Sequence, residues 1–302
     1  MKIILWILFL LNICSYVLAT DYTQDANCVA AWTYEENTGT TTSDVSPNAN
    51  NGTFKGADEP AWATASPPVG ASTAYVTFDG SNDYIKTGTM GNMGQDLNTG
   101  TWTFVSYMQS SQTVRSCIMG TVNTGSSQML NIVINGFDTE NDANDDLGIV
   151  IRDSDANLTR GAMNTINVDL QIGWHHIVHT FQTPATSAIN FWVDGVSKGL
   201  SAGTPIPSYA ADNCVNFGYE NYLGCRNVRG TAGLLYAGSL DDTAIFSRAL
   251  DSTEINDIMD NGLVGSAGGV IKTYNGLAWG SVKTIKGLLA GSVKTINGAA
   301  AQ

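Results

Sequence analysis

All three histidines of the chain, His175, His176 and His179, sit in one short stretch, "GWHHIVHT". Imidazoles this close in sequence are raw material for a zinc site or a general base. The neighbouring residues decide between those readings and a simpler one. "WHHIVHTF" is rich in β-branched and aromatic residues and carries no helix start signal, so a strand is expected. On a strand the side chains alternate, so Trp174, His176, Val178 and Thr180 share one face and His175, Ile177, His179 and Phe181 the other. His175 and His179 then stand roughly 13 Å apart at ~3.3 Å per residue, whereas zinc holds each ligand at about 2 Å. No two of these imidazoles are expected to share a ligand.

Other catalytic constellations are missing. No G-x-S-x-G, H-E-x-x-H or glycine-rich phosphate loop occurs. Oxygen ligands are plentiful, which makes calcium the cation to consider. "DTENDANDD" (138–146) supplies Asp138 and Asp142 as candidate ligands, but it lacks the glycine and final glutamate of an EF-hand loop and reads first as a solvated acidic loop. Exposed rings can stack on the C–H faces of sugars. Trp62, Tyr209, Tyr219 and Tyr222 fall in loop-like stretches and are the candidate ligand-binding residues, with ordinary packing as the competing role. Trp32, Trp102, Trp174 and Trp192 are expected in the core.

The elements that must position these residues are strands. Between residues 21 and 262, short alternating or apolar runs such as "AYVTFDG", "TWTFVSYM", "LNIVING", "LGIVIRD", "INFWVDG" and "AGSLDDTAIF" are separated by Gly, Asn, Asp, Ser and Thr. That pattern suits one all-β domain of two packed antiparallel sheets, spanning 20–262. The one helix expected is short, within "SRALDSTEINDIMDNG", with Ser252 able to cap it and Gly262 able to end it.

Residues 1–19 read as a signal peptide: Lys2, an apolar run, then Val17 and Ala19 before the expected cleavage. Polar Asn12 and Ser15 and the absence of a basic flank argue against an anchor, so no membrane span is expected in the mature chain. An exported chain keeping Cys28, Cys117, Cys214 and Cys225 suggests two disulfides. Of three possible pairings, Cys28–Cys117 with Cys214–Cys225 is favoured, the latter as a loop staple. A net charge of −13 argues against nucleic acid and against an anionic membrane surface.

After Gly262 the composition changes. "VGSAGG" is a flexible linker, and Lys272, Lys283 and Lys294 then mark an eleven-residue repeat, "KTYNGLAWGSV", "KTIKGLLAGSV" and "KTINGAAAQ". Its glycines disfavour a helical supercoil and fit short strand–turn units. Three such units cannot bury a core, so the tail (263–302) is expected to pack against another copy of the chain, to pack against another protein, or to stay mobile.

Four stretches in order carry a resemblance: "VAAWTYEENTGTTTSDVSPNANNGTFKG", "YVTFDGSNDYIKTG", "WHHIVHTF" with "INFWVDG", and "YAGSLDDTAIFSRALDSTEI". Together they resemble the laminin G-like jelly-roll modules of the concanavalin A-like lectin/glucanase superfamily, over roughly Cys28 to Asn261. The resemblance implies a jelly-roll sandwich and, at Asp241, a position that can ligate calcium, against the plainer role of an Asp buried through backbone hydrogen bonds. The Glu-x-Asp-x-x-Glu strand of the superfamily's glucanases is absent, so a non-catalytic role is expected. These observations lead to a secreted module that binds a carbohydrate or an extracellular surface protein. A structural subunit of a filament, surface layer or virion appendage, assembling through the tail, is the alternative.

Overall fold

A computed structural model describes residues 20–69, 72–90, 101–111, 115–122, 129–134, 146–152, 159–165, 168–182, 189–199, 220–228 and 231–265, and short strand pairs between 273 and 300. Contacts divide the chain into Asp21–Val264 and a second unit of Met1–Thr20 with Gly265–Gln302. The first unit is the sandwich.

Its strands run β1 (Cys28–Trp32), β2 (Thr41–Thr42), β3 (Gly52–Lys55), β4 (Ala61–Ala63), β5 (Tyr75–Asp79), β6 (Tyr84–Thr89), β7 (Thr101–Ser110), β8 (Ser116–Val122) and β9 (Met129–Ile134). There follow β10 (Asp146–Arg152), β11 (Thr159–Thr165), β12 (His175–Gln182), β13 (Ile189–Val193), β14 (Val196–Ser197), β15 (Glu220–Leu223), β16 (Arg226–Val228), β17 (Thr231–Gly233) and β18 (Ala237–Phe246), then the helix α1 (Ser252–Asn261). One eight-stranded sheet is ordered β14-β13-β12-β7-β18-β5-β4, with β1 also pairing β18, and the other β11-β10-β9-β8-β15-β6-β3-β2. Every pairing is antiparallel, and strands distant in sequence lie side by side, as a jelly roll requires.

Alternation in sequence becomes division between layers. In β12, Ile177 joins the cluster between the two sheets, with Trp32, Phe54, Trp102, Phe104, Leu130, Ile149 and Phe191. Val178, one residue on, joins a second cluster on the opposite face of that sheet, with Ala31, Val105, Phe246, Ile255 and Ile258. The helix forms because it supplies that second cluster with an apolar stripe. Its cap is Asp251 rather than Ser252: the carboxylate accepts from the Thr253 and Glu254 amides while Glu254 reaches back, and Gly262 follows the last turn. Burying Ile255 and Ile258 contributes about 1.5–3 kcal/mol each.

The favoured disulfide pairing is not what the structure holds. Cys28, Cys117 and Cys225 are buried free thiols. Cys28 packs in the helix-side cluster of one sheet, whereas Cys117 packs beside Val133 and Leu234 on the other, so no Cys28–Cys117 bond spans them. Burial pushes the thiols of Cys28 and Cys225 up to about 12. Cys214 lies outside the described residues.

Candidate functional site

The histidine strand behaves as its geometry requires. His179 points into the core between Phe104 and Phe191, with ring centroids 6.0 and 5.0 Å away. His176 lies on the other face against Tyr107, at 4.8 Å. Both are buried, no ring nitrogen of either has a hydrogen-bond partner, and burial pulls both down to about 3. These are neutral core side chains. Only His175 makes polar contacts, to Asp194 (2.8 Å) and to the carbonyls of Asp169 and Ile172.

Among the candidate calcium ligands, Asp138 and Asp142 lie outside the described residues. Asp241 is fully buried in β18, where its carboxylate accepts from the Asp242 amide (2.9 Å) and the Ser72 hydroxyl (2.6 Å). The Ser72 hydroxyl also lies 2.9 Å from Glu35, which accepts from the Thr73 amide as well. Asp242, also buried, accepts from the Leu263 amide at 3.1 Å. Burial raises the carboxyl of Asp241 well above the carboxylate range and repulsion from Asp242 adds to it; burial likewise raises Asp242. Oxygen-only donors of this kind suit a hard cation. Among the described residues, however, no three His, Cys, Asp or Glu side chains converge as a metal shell.

The candidate aromatic residues separate. Tyr209 and Tyr219 lie outside the described residues. Trp62 packs on Phe54 at 5.0 Å and donates its indole N–H to the Gly39 carbonyl, a half-buried packing role. Tyr222, expected in an exposed loop, is instead within β15 and only 3% exposed. The alternation of β15 and β6 turns Leu223 and Ile85 into the core and brings Tyr222, Tyr84 and Lys86 together away from it. There the Tyr222 hydroxyl donates to Glu220, which Lys86 also grips at 2.6 Å. Those bonds hold the Glu220 carboxyl below the usual range. Tyr84, half-buried, meets Tyr222 with centroids 5.7 Å apart. The outcome is a small mixed patch: a tyrosine ring beside an ion pair whose side chains are about one-third exposed, 37% for Lys86 and 33% for Glu220.

Sequence reasoning passed over two further features. Asp58, Glu59, Asp79 and Asp83 line a cavity of about 170 Å³ floored by Phe78. Asp83 is raised to about 6, by burial first and by its hydrogen bond with the Asp79 carboxyl second. Two hydrogen-bonded carboxyls are too close for the pair to flank a glycosidic bond, which needs about 5 Å or more between them. The second feature is Trp174, expected in the core with Trp32 and Trp102. Those two are buried, but Trp174 is half-buried at the start of β12, edge-to-face with Tyr75. It precedes the strand by one residue, where the alternation that governs β12 no longer applies.

A family model described as the concanavalin A-like lectin/glucanases superfamily matches residues 79–256. The chain belongs to that superfamily. The match begins at the Asp79 turn and ends within α1, so it takes in β18 with Asp241 and the β6–β15 patch. A sequence search finds no match among curated proteins. Among solved structures, this superfamily member is similar to domain 4 of AbnA, a GH43 extracellular arabinanase from Geobacillus stearothermophilus solved with arabinotriose. The TM-score is 0.53 at 14% identity, covering 78% of this chain and 98% of that one. It is also similar to the binding domain of Paraclostridial Mosquitocidal Protein 1 (TM-score 0.52, 12% identity, covering 77% of this chain and 52% of that one). The receptor binding domain of botulinum neurotoxin mosaic serotype C/D is a third (TM-score 0.50, 11% identity, covering 80% and 51%). The chain thus spans about half the length of each toxin domain, and these likenesses establish the jelly-roll fold. No helix among the described residues is long and apolar enough to cross a membrane.

Proposed function

We propose that this chain is an exported, non-catalytic recognition module that binds a carbohydrate on an extracellular surface. The observation that carries the reading is the patch on the second sheet, where the half-buried Tyr84 ring adjoins the Lys86–Glu220 pair that Tyr222 fastens. A ring offers surface to the C–H face of a sugar, and a fixed ion pair offers a donor and an acceptor to its hydroxyls. The similar arabinanase domain, solved with arabinotriose, supports the same class of ligand. We further propose calcium as a structural ion, held by Asp241 with Asp242 close by, because these buried carboxylates have no cationic partner among the described side chains. The ion would supply positive charge where burial otherwise forces the carboxyls to keep their protons.

The test is a glycan array probed with the full exported chain, in calcium and in chelator, for wild type and for Tyr84→Ala and Lys86→Ala. Glycan signal that the two variants lose supports the reading; a blank array in both buffers ends it.

One observation favours assembly as a second reading. The tail forms three equal hairpins, Thr273–Tyr274 with Leu277–Ala278, Thr284–Ile285 with Leu288–Leu289, and Thr295–Ile296 with Ala299–Ala300, each paired in the same register. Strands of two residues are marginal alone and leave open edges that another copy could pair. Light scattering on the full chain and on a version lacking 265–302 tests it: an oligomer that the deletion dissolves is expected, and equal masses would refute it.

A further inference from the structure

Trp174 and Tyr75 come from distant parts of the chain and are pinned to consecutive carbonyls. The Trp174 indole N–H donates to the Ser66 carbonyl (3.0 Å), and the Tyr75 hydroxyl donates to the Ala65 carbonyl (2.9 Å). The rings meet edge-to-face, with centroids 4.9 Å apart and an angle of 84° between planes. Such a contact uses the edge of one ring and a single face of the other, and both residues are half-buried, so ring surface is left at the rim of the sandwich. Two residues before Trp174, Ile172 is 73% exposed, the most exposed of the large hydrophobic side chains described.

The loop that presents Ile172 and Trp174 is not slack. His175 Nδ1 lies 2.8 Å from an Asp194 carboxylate oxygen, and its Nε2 lies 3.2 Å from both the Asp169 and Ile172 carbonyls. All three partners are acceptors, and the hydrogen bond with Asp194 raises the His175 imidazole above its ordinary pKa. It ties the Ile172 carbonyl to the turn after β13, where the other oxygen of Asp194 accepts from the His176 amide (2.9 Å). The apolar surface is therefore preorganised. Asp194, whose carboxylate holds both His175 and the His176 amide two residues from Trp174, keeps a side chain 48% exposed.

We propose that Trp174, Tyr75 and Ile172 form a stacking subsite for a neutral sugar ring. Stacked rings match the C–H face of a sugar, the half-exposed Asp194 carboxylate can accept from its hydroxyls, and the chain's net charge of −13 disfavours an acidic sugar or an anionic headgroup. The subsite rests on the reading of the chain as a sugar-binding module but not on the Tyr84 patch, which lies on the other sheet.

The test is calorimetric titration of the full chain with arabinotriose, other neutral oligosaccharides and a sialylated trisaccharide. The proteins are wild type, Trp174→Ala, Trp174→Phe, Ile172→Ser and Tyr84→Ala. Near-ultraviolet circular dichroism checks that Trp174→Ala is folded, and Ile172→Ser, being a change at an exposed position, keeps the test open if it is not. The expected result is saturable binding of a neutral oligosaccharide that Trp174→Ala weakens about tenfold or more, a change equal to roughly 1.4 kcal/mol. Ile172→Ser should weaken it severalfold, and Trp174→Phe should retain most of it. Wild-type affinity in both Trp174→Ala and Ile172→Ser, with loss only in Tyr84→Ala, would overturn the subsite and leave the recognition function standing. So would binding confined to the sialylated sugar. Failure of every oligosaccharide to bind the wild type would overturn both.

Discussion

His179 can be tested through the acid stability of the protein. Its imidazole is buried between Phe104 and Phe191 with no hydrogen-bond partner, and burial pulls it from 6.5 down to about 3. The folded state thus refuses a proton that the unfolded chain accepts below about pH 6.5, and stability falls as pH drops through the window from 6.5 to 3. The slope for one such group is about 1.4 kcal/mol per pH unit, so at pH 5 His179 alone removes roughly 2 kcal/mol that is present at neutral pH. Carboxyls such as Asp241 titrate in the opposite sense, so the total curve mixes signs. The replacement His179→Leu cancels them by difference. Urea midpoints measured from pH 7 to pH 4.5 should show wild type losing ground to the variant, by about 2 kcal/mol at pH 5. Parallel curves for the two proteins would refute a neutral, unpartnered imidazole in the core.

Asp241 gives the reverse case: its carboxyl is raised by burial, so the stability it withholds is lost as pH rises. In chelator at pH 8, Asp241→Asn should melt at least about 2–4 °C above wild type, the shift for 1 kcal/mol in a domain of this size. Added calcium should raise the wild-type Tm and leave the variant unmoved, and calorimetry with calcium and with EDTA decides it. Asp251→Ala removes a capping box and should cost about 1 kcal/mol, read from urea midpoints. Cys28, Cys117 and Cys225 should resist alkylation in the native protein and all react after unfolding without reductant; mass spectrometry of the labelled peptides checks this.

Much of the fold was legible along the chain because strands and helices announce themselves by local periodicity. The alternation in "HHIVHTF" divides Ile177 from Val178 between two clusters, as read from the sequence alone. "STEINDIMDN" carries the apolar stripe of α1, although the cap falls on Asp251, one residue before it, rather than on Ser252. The four ordered motifs sufficed for the superfamily. The sites were less legible, since they depend on which strands become neighbours. Tyr222 read as a loop aromatic, but pairing of β15 with β6 and β8 buries it and makes it the anchor of Glu220. Trp174 read as a core residue by composition, yet it sits one place before the strand and turns to Tyr75, 99 positions away in sequence. The cysteine pairing failed for the same reason: counting thiols says nothing about which sheet each one joins. Local spacing determined the elements and their buried faces; the meeting of Glu35, Ser72 and Asp241, of Tyr84 with Tyr222, and of Trp174 with Tyr75 came only with the long-range strand order, which no short-range pattern encodes.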